Sequence, residues 1–271
     1  MAQEHVISRE YKLMLRAHLF TGAEDKLLRK AGAFWRAFTQ GIRAVVFDTD
    51  GDLDKIAKRR FIRFYDTKGQ RLQKNDYIFR ERVDIVSGDR EVTLKFRHPD
   101  RYVAQDRNMA AAEVKRGKAK FEEDIKPPCQ SLYSYSTTQQ IADDKQLNQM
   151  NDPGRLYPGL PEQLHTYDED EAITVVGAFT ARELVLTGAD FQIGKEPKVE
   201  AECALIVWYD AQDEAQTPEV VEFSFKYSNN EEKYPGAVAK RAYDVFQLLQ
   251  GEALPCWVDH ASKTKTAYIY S

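Results

Sequence analysis

Two runs of the sequence, YIFRERVDI at residues 77–85 and REVTLKFR at residues 90–97, decide the fold. In each run charged and apolar residues alternate with a period of two, which is the pattern of a β-strand with two unlike faces. Arg80 and Arg82 share one face of the first strand, and Lys95 lies on the charged face of the second. A Ser-Gly-Asp turn joins the two runs. The sequence therefore predicts a hairpin with one basic face, and such a face is suited to an anion.

The composition is that of a globular chain without a strong charge bias. Its 271 residues, of which 42% are hydrophobic, are enough for a packed core. The 39 basic and 43 acidic residues give a formal net charge of −4, which argues against bulk nucleic-acid binding. The cysteines Cys129, Cys203 and Cys256 are scattered singly, and no apolar run approaches the roughly 18 residues of a membrane span. We therefore expect a cytoplasmic protein without a membrane partner.

Further strands and two main helices complete the pattern. Alternation predicts five more strands, at residues 6–16, 117–125, 172–186, 198–210 and 219–227. Helical spacing of apolar residues predicts helices at 21–40, opened by a capping box, and at 234–251. Residues 129–150 are expected to be partly helical, and residues 151–164, which are rich in Pro and Gly, are expected to be a linker. A last strand is expected at 263–271. The sum is an α+β chain built around an antiparallel sheet or barrel.

Six strands carry charged residues on one face and apolar residues on the other. The apolar faces supply the surface that the helices need to cover. The charged faces then look either outward on an open sheet or inward into a lumen. Because unpaired buried charges are costly, a polar lumen requires water or a charged ligand. Basic side chains on some strands and carboxylates on others suit a complex of a metal ion with a polyphosphate.

The segment RAVVFDTDGDLD, residues 43–54, offers a different interpretation. An apolar strand that ends in DxDG resembles the first motif of haloacid dehalogenase-like phosphatases. In that family Asp48 would be the nucleophile and Asp50 the general acid, with Asp143 and Asp144 as a later metal-binding pair. The residue after DxDG is not the usual Thr or Val, and the segment that follows is strand-like rather than helical. We favour a solvated acidic loop for this segment.

A series of short motifs resembles the CYTH superfamily, the triphosphate tunnel metalloenzymes. The motifs are YDT (65–67), RER (80–82), TLK (93–95) and KFEED (120–124), followed by late strands that carry Glu. The resemblance spans about residues 6–227. It implies an antiparallel eight-stranded β-barrel, a tunnel with a polar lumen and with helices packed outside, that binds a triphosphate with Mg²⁺ or Mn²⁺. Most members hydrolyse inorganic, thiamine or nucleoside triphosphates or RNA 5′-triphosphate ends, and some are adenylate cyclases.

The resemblance also implies a domain plan and roles for individual residues. The chain, 1–271, would be a single CYTH-like domain with an inserted helix at 21–40 and a C-terminal helix and tail at 234–271. Basic residues that would hold the phosphate oxygens are Lys12, Arg80, Arg82, Lys95, Lys120 and Arg182. Acidic candidates for metal ligands or for orienting the attacking water are Glu10, Glu122, Asp124, Glu200, Glu202 and Glu222. The catalytic set would be Glu10, Lys12, Arg80, Arg82 and Lys95.

Two departures from the family pattern remove negative charge from the part of the site that would hold the metal ion. Ser8 replaces the first carboxylate of the family's opening ExExK signature, and Ser224 lies in a late strand where an acid is expected. The loss of a carboxylate ligand weakens a metal site or changes which metal site remains. Three hypotheses stay open: a metal-dependent hydrolase of a small triphosphate, a non-catalytic CYTH-like module that binds polyphosphate or a nucleotide, and the dehalogenase-like phosphatase.

Overall fold

The computed structural model describes residues 4–113, 117–212, 217–251, 254 and 256–259. Within these residues the fold is mixed α+β, with ten strands in one sheet. The strands are β1 (Ser8–Leu15), β2 (Asp48–Thr67), β3 (Tyr77–Asp84), β4 (Arg90–His98), β5 (Lys118–Lys126), β6 (Gln130–Ile141), β7 (Ile173–Val175), β8 (Ala181–Lys195), β9 (Lys198–Asp210) and β10 (Pro218–Ser228). The α-helices are α1 (Glu24–Ile42), α2 (Arg71–Lys74), α3 (Arg101–Gln105), α4 (Asn151–Leu156), α5 (Leu160–Gln163) and α6 (Gly236–Gln250).

Nine of these strands form a ring, in which each strand pairs with two neighbours. The cyclic order is β1-β10-β9-β8-β2-β3-β4-β6-β5, and β5 pairs again with β1. The tenth strand, β7, pairs with β2 beside this cycle. The β1–β5 pair is parallel, and the other pairs of the ring are antiparallel. The described residues therefore give a ring-like sheet with nine strands rather than the eight that the resemblance implied.

Two apolar cores cover the outer face of the ring. In the first, Phe34 and Phe38 of α1 pack against Phe223 of β10, with ring centroids 5.1 and 5.0 Å apart. In the second, the fully buried Tyr157 donates its hydroxyl hydrogen to the carbonyl oxygen of Val92 in β4 at 3.0 Å. Because side chains alternate along a strand, the neighbours of these core residues point to the opposite face of the sheet, which we call the inner face.

Most of the predicted elements are confirmed. The basic hairpin forms β3 and β4, and the helix predicted at 21–40 is α1, with its apolar stripe buried. The predicted capping box is wrong, because Ala23 is the N-cap of α1 and the Thr21 hydroxyl donates to the carbonyl of His18 instead.

Three further segments differ from the prediction. The stretch at 129–150, expected to be partly helical, contains strand β6. The single strand expected at 172–186 is divided into β7 and β8 by a turn in which Gly177 has a φ of 61°. The expected linker at 151–164 contains α4 and α5 and contributes the fully buried Leu160 to the second core. The predicted last strand at 263–271 lies outside the described residues.

The segment with the two aspartates does not form the unit that a dehalogenase-like phosphatase requires. Asp48 and Asp50 are exposed and lie in the first residues of β2, which pairs antiparallel with β8. That family requires a βαβ unit, in which a strand is followed by a helix and a parallel strand, and these residues do not form one. The acidic loop that we favoured is also wrong, because these residues are solvated but belong to a strand. No helix among the described residues is long and apolar enough to cross a membrane.

Candidate anion-binding site on the inner face

The inner face of the ring is charged, and its arginines and most of its carboxylates lie on different strands. Strand alternation opposite the two apolar cores places basic residues on the inner face of β2, β3 and β4. They are Arg60, Arg80, Arg82, Lys95 and Arg97. The same alternation places acidic residues on the inner face of β1, β5 and β10. They are Glu10, Glu122, Asp124 and Glu222. A basic wall and an acidic wall therefore share one interior.

Asp124 is the carboxylate that joins the two walls. Its side chain is fully buried, and its Oδ1 accepts a hydrogen bond from Lys12 Nζ at 2.9 Å. Its Oδ2 lies 3.4 Å from both Lys95 Nζ and Arg97 Nη2. Burial alone would raise the pKa of Asp124, but the three cations outweigh it and hold the pKa well below its usual range. Asp124 is therefore a buried anion that contacts three basic side chains from two strands.

The two lysines that contact Asp124 differ in pKa. Burial opposes the charge of Lys12, but Asp124, Glu10 and Glu222 outweigh it and raise the pKa. Burial lowers the pKa of Lys95 to about 7, and its attraction to Asp124 offsets only part of this effect. Lys12 is therefore a permanent cation that neutralises its acidic neighbours. Lys95 is a group that would take up a proton when an anion binds beside it.

Arg80 and Arg82 hold more positive charge than their surroundings compensate. Burial and the charge of Arg82 lower the pKa of Arg80 well below its usual value, and burial and Arg60 lower that of Arg82. Arg82 donates one hydrogen bond to Glu91 at 3.2 Å. Among the described residues, the buried Nε atoms of Arg80, Arg82 and Arg97 have no hydrogen-bond partner. Buried donors without acceptors are uncommon and indicate a missing ligand or water.

A compact group at the end of the basic wall combines an ion pair with an indole. Arg60 Nε donates to Glu183 Oε1 at 2.8 Å, and Trp208 Nε1 donates to Glu183 Oε2 at 2.8 Å. Burial opposes the charge of Glu183, but Arg60, Arg82 and the indole hydrogen bond outweigh it and lower the pKa of this carboxyl. Trp208 and Phe64 are half-buried, with ring centroids 6.0 Å apart. Aromatic rings therefore adjoin the arginines on the inner face.

Hydroxyl groups lie among the charged side chains of the inner face. Ser8 Oγ donates to Glu122 at 2.9 Å, so this serine is bonded to a carboxylate of the neighbouring strand β5. Thr93 and Thr138 share a hydrogen bond of 2.7 Å. Ser134 Oγ is buried and has no hydrogen-bond partner in the part of the chain that the structure describes. These groups add neutral donors to the inner face without adding charge.

The residues present fit a divalent cation that arrives with its substrate better than a preformed metal site. The described residues contain no cluster of three or more His, Cys, Asp or Glu side chains that would hold a metal ion. The oxygens of Asp124 already contact Lys12, Lys95 and Arg97, while Glu10 and Glu122 lie on the neighbouring strands β1 and β5. Mg²⁺ is commonly held by one or two carboxylates together with substrate phosphates. Glu10 and Glu122 are the inner-face carboxylates that would hold such a cation.

The structure brings together only part of the predicted site. Seven predicted residues are on the inner face around Asp124 and the arginines: Glu10, Lys12, Arg80, Arg82, Lys95, Glu122 and Asp124. Glu222 lies close enough to Lys12 to raise its pKa. Lys120 is exposed at the start of β5.

Three predicted residues do not join this group. Glu202 is 73% exposed and pairs with Lys226 at 3.3 Å, and Glu200 pairs with the exposed Lys198. Arg182 lies over the ring of Tyr209, 4.5 Å from its centroid, on the outer face. The structure therefore separates Arg182 from the other predicted phosphate ligands.

The predicted site omitted four charged residues of the inner face. They are Arg60, Arg97, Lys126 and Glu183. Burial lowers the pKa of Lys126 to about 8. The signal for Arg97 and Lys126 was present in the sequence, because each has the same strand parity as a predicted site residue. Arg60 and Glu183 are visible as a pair only once β2 and β8 are known to be neighbours.

The chain matches no family model and no curated protein. Several solved structures are similar to it over most of its length. A candidate adenylyl cyclase from Hippeastrum, described as having a dominant triphosphatase activity, is 12% identical with a TM-score of 0.44, covering 95% of this chain and 93% of that chain. A candidate adenylate cyclase from Vibrio parahaemolyticus is 10% identical with a TM-score of 0.36, covering 97% of this chain and 98% of that chain. A candidate adenylate cyclase from Bacillus halodurans is 11% identical with a TM-score of 0.37, covering 97% of each chain.

Proposed function

We propose that this chain binds the phosphates of a small triphosphate compound on the inner face of its ring and hydrolyses it with a divalent cation. The ring would then be the tunnel of a CYTH-like enzyme. The observation that carries the proposal is the group of Arg80, Arg82 and Arg97, whose buried Nε donors lack acceptors among the described residues. A triphosphate supplies both the missing acceptor oxygens and the missing negative charge.

The residues of the chain would bind and orient the substrate. Arg80 and Arg82 would hold phosphate oxygens by charge-assisted hydrogen bonds. Lys95, with its pKa lowered to about 7, would take up a proton as the anion enters and then donate to it. Glu10 and Glu122 would hold Mg²⁺ or Mn²⁺ together with the phosphates and orient the attacking water. The metal ion, when bound, neutralises the charge of the transferred phosphoryl group.

A phosphate-release assay tests this function. Tripolyphosphate, ATP and thiamine triphosphate are each supplied with Mg²⁺ or with Mn²⁺, and EDTA is the metal-free control. We expect turnover of at least one compound by the wild type and its loss in Arg80→Ala. Asp48→Asn, a change at an exposed residue at the start of β2, is expected to keep full activity. Loss of activity in Asp48→Asn together with normal activity in Arg80→Ala would instead support the dehalogenase-like phosphatase.

A second candidate function is binding without turnover. Two observations favour it: Ser8 replaces a family carboxylate, and Lys12 contacts both Glu10 and Asp124, at 2.9 Å in each case. Carboxylates that are neutralised by a lysine are weaker metal ligands. A rise in melting temperature with tripolyphosphate, in the absence of phosphate release with either metal, would establish the binding module and exclude the hydrolase.

A further inference from the structure

An aromatic surface lies directly beside the arginines of the inner face. In the β2–β3 register, Phe64 is opposite Arg80 and Ile62 is opposite Arg82. Side chains that are directly opposite in a sheet have Cβ atoms about 4.5–5.5 Å apart. Trp208, from β9, completes the surface, with its ring centroid 6.0 Å from that of Phe64. The aromatic surface, defined as Phe64 and Trp208, therefore adjoins the proposed phosphate ligands.

The two rings pack against buried neighbours but are not fully covered. Ile62, Phe179 and Ala181 are buried and pack against Phe64 and Trp208, whereas the two rings are half-buried. The indole is fixed in orientation by its hydrogen bond of 2.8 Å to Glu183. A fixed, partly exposed pair of rings is the arrangement on which a planar group stacks at low entropic cost.

A triphosphate without an organic group makes no use of this surface. Phosphate oxygens need hydrogen-bond donors and positive charge, and aromatic rings provide neither of these toward an anion. A ring system attached to the phosphate chain would cover the exposed parts of Phe64 and Trp208 while the phosphates contact Arg80 and Arg82. Stacking of a base on an aromatic side chain contributes enough affinity to change substrate preference.

We infer that the triphosphate bound by this chain carries a planar aromatic group that stacks on Trp208 and Phe64. The ligand is then an organic triphosphate, of the nucleoside or the thiamine type, and not inorganic tripolyphosphate. This inference rests on the proposed function, because the position of the phosphates at Arg80 and Arg82 places the organic group at the aromatic surface. Glu183 is a positioning residue, since it acts by holding the indole.

Titration calorimetry with Mg²⁺ and three ligands tests the inference. The ligands are ATP, thiamine triphosphate and tripolyphosphate, and the variants are Trp208→Leu and Phe64→Leu. We expect the wild type to bind at least one organic triphosphate more tightly than tripolyphosphate. Each variant is expected to raise the Kd of that organic ligand roughly tenfold and to change the Kd of tripolyphosphate by less than about twofold. The organic ligand that loses affinity identifies the nucleoside or the thiamine type.

A matched control is Phe47→Leu, which removes a 40% exposed ring outside the inner face, between Lys195 and Arg241. It is expected to leave the three affinities unchanged. Trp208→Leu also removes the hydrogen bond to Glu183, so its melting temperature is measured; if it does not fold, Phe64→Leu decides.

The outcomes separate the inference from the proposed function. Equal losses for tripolyphosphate and the organic ligand, or equally tight binding of all three ligands by the wild type, would overturn the inference and leave the phosphate site intact. If the wild type binds none of the three ligands, the proposed function and the inference both fall.

Discussion

Replacing Arg80 by Met is expected to stabilise the free protein and to weaken phosphate binding. Burial, together with the charge of Arg82, lowers the pKa of Arg80 well below its usual value. A base whose pKa falls on folding binds its proton more readily in the unfolded chain. Its charge therefore opposes folding at neutral pH. Met has a similar length and brings no charge into the ring, so the variant removes this opposition.

The structure sets the size of both effects. Replacing buried charged groups by apolar ones of similar volume is neutral or stabilises by about 1–4 kcal/mol. Arg80 is half-buried, so we expect the lower end, about 1 kcal/mol in the free energy of unfolding. A hydrogen bond to a charged group contributes about 1.5–3 kcal/mol. Its loss raises the Kd for tripolyphosphate roughly tenfold to a hundredfold.

Urea denaturation without ligand and titration calorimetry with tripolyphosphate measure the two quantities separately. The matched control is Arg59→Met on the same sheet, because Arg59 forms an exposed ion pair with Glu24 at 2.8 Å. An exposed pair contributes about 0–1 kcal/mol, so this control is expected to change neither quantity much. A loss of more than about 1 kcal/mol of stability in Arg80→Met, with an unchanged Kd, would refute the reasoning.

Three other predictions concern stability. Asp124→Asn leaves Lys12, Lys95 and Arg97 without their shared anion, and is expected to cost about 3–5 kcal/mol in urea denaturation; a loss below about 1 kcal/mol would contradict the central role of this carboxylate. The pKa of Glu183 is lower in the folded protein than its usual value of 4.5, so its contribution is present above that pH and is lost as the pH falls through the folded pKa. The difference in melting temperature between wild type and Glu183→Gln should therefore shrink from pH 7 towards pH 3, and a constant difference would exclude the ionic contribution. Gly51→Ala is expected to destabilise more than Gly88→Ala in thermal melts, because both have positive φ but a Cβ at Gly51 would collide with the carbonyl of Gly188; equal losses would show that the collision is relieved.

The charged inner face was predictable because a strand has a period of two. In runs such as 77–85 and 90–97 the alternation alone predicts which residues share a face, without knowledge of the neighbouring strands. Strand β6 was missed because its inner face carries Ser and Thr rather than charge. Its alternation of Tyr133 and Tyr135 with Ser134 and Ser136 was nevertheless a signal of the same kind. Arg182 was misassigned although Leu184 and Leu186, which share its face, are buried in the outer core.

What the sequence could not predict are contacts that join distant strands. Asp124 and Lys12 come together because β1 and β5 pair in parallel, across more than a hundred residues. Alternation gives the face of a residue but neither its register nor its neighbour. The assignment of Asp124 as a metal ligand was therefore made without knowledge that three cations contact it. That assignment stays a prediction.

The position of β1 between β5 and β10 has a consequence for folding. Lys12 of β1 is paired with Ser224 of β10 in the antiparallel register. At about 5–20 residues per second, a ribosome completes β10 roughly 10–40 s after β1. During that time β1 has at most β5 as a partner, and one of its edges is open to other chains. Closure of the ring is therefore the late, non-local step of folding, and crowded nascent chains are most exposed to strand exchange before it.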